Sequence, residues 1–460
     1  MTSHTLNDVA LKELSDGFTG AIITPDDPTY DEARKIFNAM IDRRPSIIAQ
    51  CACVDDVVRS IHVARHHGLE IAVCGGGHGV AGKALTEGGL VIDLRQMCSV
   101  SVNPSARTVT VGGGATMSHL DRGTEPYGLA TTGGRASTTG VGGYILGGGS
   151  GWLDRKFGLA CDNLLSVELV TASGDVIHAS ENEHPELFWA LHGGGGNFGV
   201  ATSFTLRLYE LSSVTVMLLV WPPEAGVDVL RTYRDFMESA PDEIGGGALF
   251  VTGPEEEFVP ESLVGRLTFV VLITYAGPLS KTRQVAATML ELGHQGEFIS
   301  EMPYADLQCM LDDPPGYRNY CTAEYLDAFP DEAIDRFCAH AQNMIVPSAS
   351  QHVLLPQGGA LGRGRSDYPL PWRQAPWLIH PFSLYQDSVD DERARQWTHD
   401  IRADLKPWES GAVYLNFIGD EGQDRVVAGL GVENYSRLVK VKAQYDPENV
   451  FHLNHNIKPT

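Results

Sequence analysis

The chain carries no excess of positive charge. Asp and Glu number 58 against 34 Lys and Arg, for a formal net charge of −24. A surface of that sign repels phosphate backbones and anionic lipid faces, so neither nucleic acid nor a membrane surface is an expected partner. Long apolar runs are missing too. The most apolar stretch, residues 214–221, falls far short of the roughly 20 residues that cross a bilayer. Residues 1–16 are polar and acidic early, with no basic start and no apolar core, so they do not read as a secretory leader. The eight cysteines form no CxxC pair and keep no regular spacing, which fits reduced thiols in the cytoplasm. No HExxH and no Cys/His set with zinc spacing occurs, so no metal is expected.

The length of 460 residues is about three times a typical domain of roughly 150, so two or three domains are expected. Hydrophobic residues at 43% and charged residues at 20% support large buried cores and exclude a mainly disordered chain. Glycine, at 50 residues, is abundant and uneven. It clusters at 75–79, 112–114, 133–151 and 193–199. Such clusters mark tight turns, or backbone brought close to a ligand.

Between the clusters, elements alternate. Val54, Val57, Val58 and Ile61 recur at helical spacing, with Asp55 and Asp56 in the first turn and Arg65, His66 and His67 in the last. Gly68 closes that helix. Residues 70–74, 90–94, 108–111 and 202–208 read as strands, and 165–171 with 175–178 as a hairpin around Ser173 and Gly174. Past about 211 the glycine thins out. Residues 214–221 and 267–275 read as long strands, and 223–239, 280–292, 330–345 and 390–405 as helices. Residues 432–445 read as a last helix, stopped by Asp446-Pro447. The expected class is α+β.

Several motifs fail on context. Gly194 to Gly199 match GxGxxG, but a helix-like stretch precedes and a strand follows, the reverse of a dinucleotide fingerprint. Gly77, Gly82 and Lys83 resemble a phosphate loop, but Ala84 replaces the hydroxyl residue that would hold Mg²⁺. Ser150 sits among glycines, yet Trp152 breaks the GxSxG elbow. His66 and His67 stand at a solvated helix end. His78 is different. It follows strand 70–74 and is flanked by Gly75, Gly76, Gly77 and Gly79. It is either a loop histidine bonded to backbone or an imidazole presented to a cofactor held by backbone N–H groups.

The segments CGGGHGVAGKA (74–84), LVIDL (90–94), GGGATMSHLDR (112–122), GLATTGGRASTTGVGGYILGGGSGWLDRKFGLACDNL (128–164), HPELFWALHGGGGNFGVATSFTLRLY (184–209), YLNF (414–417) and YDPENVFHLNHNIKP (445–459) resemble one family. It is the FAD-linked oxidases of the vanillyl-alcohol oxidase type, with a PCMH-type FAD-binding domain, in the berberine-bridge-enzyme branch. The resemblance is specific in 70–210 and 410–460 and loose in 215–400. It implies a mixed α/β FAD domain in residues 1–211, an antiparallel-sheet substrate domain covered by helices in 212–416, and a C-terminal segment, 417–460, returning to the FAD domain.

The resemblance also implies roles. FAD would be the cofactor, with His78 bonded covalently to its 8α-methyl. The loop of Cys74, Gly75, Gly76, Gly77 and Gly79 and the loop of Gly133, Gly134, Ser137, Thr138, Gly140, Gly142 and Gly143 would wrap the pyrophosphate. Gly147, Gly148, Gly149 and Gly151, with Asp162 and Asn163, would line the isoalloxazine and ribityl side. Gly199 and Val200 would lie by the adenine. Tyr414, Asn416, Asn454 and Asn456 would return to the flavin.

Three positions depart from the family. Ala136 stands where doubly linked members carry Cys, so a single link is expected. Ser150 and Phe417 stand where carbohydrate- and alcohol-oxidising members carry Tyr. With that base missing, Tyr320, His380 and Tyr385 are the pocket candidates beside Phe417, and Arg373 and Trp377 could shape the pocket wall. The expected function is an FAD-dependent oxidase that takes hydride from a small organic substrate, aromatic, amine or alcohol, and reduces O₂ to H₂O₂. A dehydrogenase using another acceptor, or a flavoprotein that sequesters a small aromatic compound, are the alternatives. A homodimer is an open option.

Overall fold

A computed structural model describes residues 3–460; Met1 and Thr2, which open the segment read above as free of a leader, lie outside the described residues. Helix Val54–His67 forms as its spacing predicts, with Gly68 closing it at φ 65°. It buries Val57, Ile61 and Ala64 against a four-stranded sheet ordered Ala21–Ile23, Ile47–Gln50, Leu90–Asp93, Ile71–Cys74. The last three strands run parallel, and the first pairs antiparallel at the edge. A second, five-stranded antiparallel sheet orders Val100–Asn103, Thr108–Gly112, Val200–Arg207, Leu164–Val170, Val176–Ser180. The expected hairpin around Ser173 and Gly174 is its far edge.

The second half is built on an eight-stranded antiparallel sheet. Its order is Gly296–Met302, Val214–Trp221, Leu267–Tyr275, Ile244–Thr252, Gln351–Pro356, Trp377–Tyr385, Arg318–Cys321, with Glu324–Leu326 also on Trp377–Tyr385. Strand Val214–Trp221 is buried throughout, with Thr215 its one polar residue, because both its faces are covered. Met217, Leu219 and Trp221 pack under helices Gly226–Ser239, Asp331–Ala341 and Asp391–Leu405. Val216, Leu218 and Val220 turn the other way, into a core shared with Trp152, Leu153 and Ala130. That second face bounds the site described below.

One expected helix breaks. Over 280–292 the chain forms only short turns, Leu279–Lys281, Thr282–Val285 and Ala287–Leu290. Ala286 leaves helical geometry at φ −101°, ψ 5°, and the turn lets Ala286 and Met289 both bury in the sheet core.

The chain's end crosses back. Val413, Tyr414, Leu415, Val426, Leu438 and Ile457 share one core with Val109, Val167 and Phe204. Lys442 is fully buried, with Nζ donating to Asn197 O, Asp446 Oδ2 and Phe451 O. The Ile457 N–H reaches Asn197 Oδ1 at 2.9 Å, so the tail is fastened to the glycine-rich 193–199 loop. No described helix is long and apolar enough to cross a membrane.

Candidate active site

His78 leaves the end of strand Ile71–Cys74 on a loop that requires glycine at two positions, 76 and 77. Gly77 sits at φ 69°. A Cβ on Gly76 would lie 2.4 Å from Gly140 Cα, so the 75–79 and 136–140 loops touch backbone to backbone. His78 Nε2 is 2.8 Å from Thr138 Oγ1, and its ring stacks on Phe37 at 4.0 Å. Burial pushes the imidazole down to about 4, so it is neutral at neutral pH. Asp312, from the far half of the chain, accepts from both the N–H and the hydroxyl of Ser137.

Helix Val141–Leu146 then leads into Gly147, where a Cβ would lie 2.0 Å from Asn416 Oδ1. Asn416 donates to Tyr144 O and Tyr414 Oη, each at 3.1 Å. Tyr414 Oη also accepts from Gly149 N and Ser150 N at 3.0 Å. The 147–151 turn is thus anchored on the YLNF segment.

These elements surround one cavity of about 740 Å³, within the range of small-molecule sites. Glycine backbone from 75–79, Gly134, Gly140, Gly142, Gly143, Gly147 and 193–199 supplies one part of the lining, with His78, Val200, Tyr414, Asn416, Asn454 and His455. The large sheet supplies the other: Leu218, Val220, Leu249, Val251, Val270 and Leu272, with Phe258, Met310, His380 and Phe417. His380 and Phe417 stack at 4.1 Å. His380 Nδ1 donates to Thr322 O at 2.8 Å, and burial pushes this imidazole down to about 4.

Not every expected residue lines the cavity. Tyr385 gives its hydroxyl to Asp391, which Arg318 also holds, and Tyr320 meets His399 at 3.3 Å; both are spent outside the cavity. Asp162 is paired with buried Arg373, and Asn163 bonds Phe157 O, Leu159 O and Tyr209 Oη, so the acid–amide doublet fastens its own turn. Trp377 lies in the core beneath the sheet. Gly148 and Gly149 take positive φ, and Gly151 packs on Gly133 O, which makes these four glycines turn formers behind the wall. Cys74 is buried in a small apolar core, its thiol pushed up to about 12 by burial. Ser137 and Thr138 are occupied by Asp312 and His78. Asn456 stands off the lining, its carbonyl accepting from Gln423.

Sequence reading missed two groups. Arg135 reaches Ser150 Oγ, Ser150 O and Gly151 O, and lies over the Trp152 ring at 5.1 Å. Asp312 and Asp313 both line the cavity. Asp313 is in no ion pair among the described residues; its one hydrogen-bond partner is Gln351 at 3.5 Å. Burial, and then the neighbouring Asp312 charge, push its carboxyl up to about 7. The acidic doublet ahead of Pro314-Pro315 was the one sequence signal for it.

The lining suits a dinucleotide flavin. Backbone N–H groups of closely packed glycine loops bind phosphate well. Asn454 Oδ1 is buried without a partner, an acceptor waiting for a polar ligand. Glycine loops and an apolar sheet face meeting on one cavity define the class, an FAD-linked oxidoreductase acting on a small organic substrate. Residues 45–180 match the family described as FAD binding domain, and residues 413–458 the one described as berberine and berberine like. The chain is 31% identical to (R)-6-hydroxynicotine oxidase of Paenarthrobacter nicotinovorans, over 96% of this chain and 97% of that protein. It is 30% identical to an uncharacterized FAD-linked oxidoreductase of Bacillus subtilis, over 96% and 97%. The crystal structure of 6-hydroxy-D-nicotine oxidase from Arthrobacter nicotinovorans superposes with a TM-score of 0.87 at 29% identity, covering 97% of this chain and 99% of that one. The protein therefore belongs to the berberine-bridge-enzyme-like FAD-linked oxidases of the vanillyl-alcohol oxidase type.

Proposed function

We propose that the cavity holds FAD bonded to His78 and oxidises a small aromatic or heterocyclic amine or alcohol, with O₂ as electron acceptor and H₂O₂ as second product. The observation that carries the reading is His78 facing a glycine-lined cavity whose remaining lining is apolar, with Asp313 inside it. Bound there, FAD supplies a two-electron acceptor for the hydrogen leaving the oxidised carbon.

The chain's own residues do the rest. The 75–79, 134–143 and 193–199 backbones hold the phosphates, and Asn454 offers a carbonyl acceptor to the bound cofactor. The sheet face of Leu218, Val220, Val270 and Leu272 keeps water from the substrate end. Phe417 stacked on His380 gives a flat apolar wall, which favours a ring over a sugar whose hydroxyls would each need a partner. Asp313 accepts the O–H or N–H proton of the substrate, being half ionised near neutral pH. The relative named for oxidation of 6-hydroxynicotine supports an oxidase with a small substrate.

The test is an anaerobic screen of amine, alcohol and sugar panels for loss of the flavin's visible absorbance, followed by oxygen uptake on each positive. Bleaching by aromatic compounds with stoichiometric oxygen uptake is expected. Bleaching without oxygen uptake would make the protein a dehydrogenase. Tight binding without bleaching would make it a sequestering protein. Efficient turnover of oligosaccharides alone would overturn the substrate class. We further assign 1–211 and 417–460 to the FAD domain and 212–416 to the substrate domain. Hydrogen exchange should then protect 417–460 together with 185–208, and independent opening of the tail would contradict the assignment.

A further inference from the structure

Strand Trp377–Tyr385 sends alternate side chains to opposite faces of the large sheet. Trp377 and Ile379 enter the helix-covered core, while His380 and Phe382 line the cavity beside their cross-strand partners Val353 and Gln351. The face of the His380 ring lies against Phe417 at 4.1 Å and 17°. Its edge is polar, and the two nitrogens differ. Nδ1 is 2.8 Å from Thr322 O, whereas Nε2 has no hydrogen-bond partner among the described residues. A carbonyl oxygen only accepts, so the ring proton is on Nδ1. Burial lowers the ring's affinity for a second proton, so it is neutral at neutral pH. Nε2 therefore carries a lone pair.

The residue after His380 explains this tautomer. Thr322 stands opposite Pro381 in the register that runs from Cys321 and Phe382 to Glu324 and Ile379. Its N–H donates to Pro381 O at 3.4 Å. Proline has no N–H to return, so Thr322 O is open to the imidazole. Thr322 is held in turn. Its Oγ1 donates to Glu421 Oε1 at 2.6 Å, and Glu421 Oε2 pairs with Arg402 and Arg425. Both arginines also pair with Glu324, which is fully buried. Turning the ring over would set a C–H against Thr322 O and strand a buried carbonyl, which costs about 1–3 kcal/mol.

We propose that His380 is a specificity-determining residue: its Nε2 lone pair accepts the O–H or N–H of a ring substrate, so that rings carrying a donor are taken and their methylated counterparts refused. The inference rests on the reading of the cavity as a site for small aromatic compounds, and adds the group that selects among them. One polar atom at the edge of an apolar wall is the arrangement that orients a flat ligand. A ring with a methoxy group at that place would set an ether oxygen against the lone pair and leave Nε2 unpaired. His380 binds the donor without removing its proton, since its own proton affinity is low. Proton removal is left to Asp313, the acid raised to about 7 in the same cavity.

The experiment titrates the full-length holoprotein with phenol and with anisole at neutral pH and reads binding from the shift of the flavin's visible absorbance. Wild type should bind phenol at least about tenfold more tightly than anisole. His380→Phe keeps a ring against Phe417 and has no acceptor, so it should bind the two within about twofold of each other, with the loss falling on phenol. Equal affinities in wild type would overturn the inference, as would a preference that survives His380→Phe. A preference that survives His380→Phe and disappears in Asp313→Asn would assign the donor to Asp313 instead. Each of these results leaves the aromatic reading of the cavity standing. Binding of neither compound to wild type would refute that reading and the inference together. The wild-type comparison needs no variant, so misfolding of His380→Phe leaves the proposal open to refutation.

Discussion

Replacing Tyr414 by Phe removes a single oxygen from the centre of the site's scaffold. That oxygen accepts from Gly149 N and Ser150 N at 3.0 Å and from Asn416 Nδ2 at 3.1 Å. The tyrosine ring, Gly149 and Ser150 are buried, and Asn416 is half-buried. Phe keeps the ring volume, so no cavity opens and the whole cost is polar. A buried N–H stripped of its acceptor costs about 1–3 kcal/mol, so the two backbone groups together cost about 2–6 kcal/mol. Asn416 retains Tyr144 O and adds little. For folding units of roughly 200 residues, each kcal/mol moves the melting temperature by about 2–4 °C. Thermal unfolding of the purified holoprotein should therefore show a fall of at least about 4 °C. The flavin's visible spectrum should shift as well, because Gly147 and Ser150 of the loosened turn line the cavity. A melting temperature within about 1 °C of wild type, with an unchanged spectrum, would refute the claim that this oxygen anchors the turn.

Three further substitutions probe the site. With the Asp313 carboxyl raised to about 7, its base form fills as pH rises through that value, so kcat/KM should climb about tenfold per pH unit below it and level above. Asp313→Asn should flatten that limb and lower kcat/KM by about 10²–10⁴; a wild-type limb that survives the substitution would remove Asp313 from the reaction. Asp162→Asn strands the buried Arg373 guanidinium and should destabilise by about 3–5 kcal/mol in urea unfolding, with an unchanged flavin spectrum. A shifted spectrum at full stability would restore Asp162 to the cavity. Phe417→Tyr should alter the flavin spectrum or turnover, since Phe417 lines the cavity against His380; no change in either would place it away from the reacting atoms.

Much of the scaffold could be read from residue order alone. The helix over 54–67 and the strands over 214–221 and 267–275 carry strong local patterns, and the structure has them at the same residues. The strands Ile244–Thr252 and Trp377–Tyr385 escaped because their interiors hold residues that argue against strands. Gly245, Gly246 and Gly247 interrupt the first; a Cβ at Gly245 would lie 2.5 Å from Trp152 O, so close packing dictates the glycine. Pro381 interrupts the second, where the partner strand is itself broken between Cys321 and Glu324. In the site, the glycine loops were legible because glycine reports backbone proximity directly. Asp162 and Asn163 were misread because the partner that occupies Asp162, Arg373, lies 211 residues along the chain. Asp313 was missed for the converse reason. The doublet Asp312-Asp313 ahead of two prolines was its one local mark, and an exposed turn carries the same pattern; only tertiary folding leaves the carboxyl inside the cavity without a cation.

The most direct test of the account is the fate of the flavin when the protein is denatured in acid. Wild type should precipitate yellow, and proteolysis should yield a single flavin-bearing peptide containing His78. His78→Ala should release all its flavin or bind none, with the fold retained by circular dichroism. Flavin released quantitatively from wild type, or carried on a peptide without His78, would contradict the central claim.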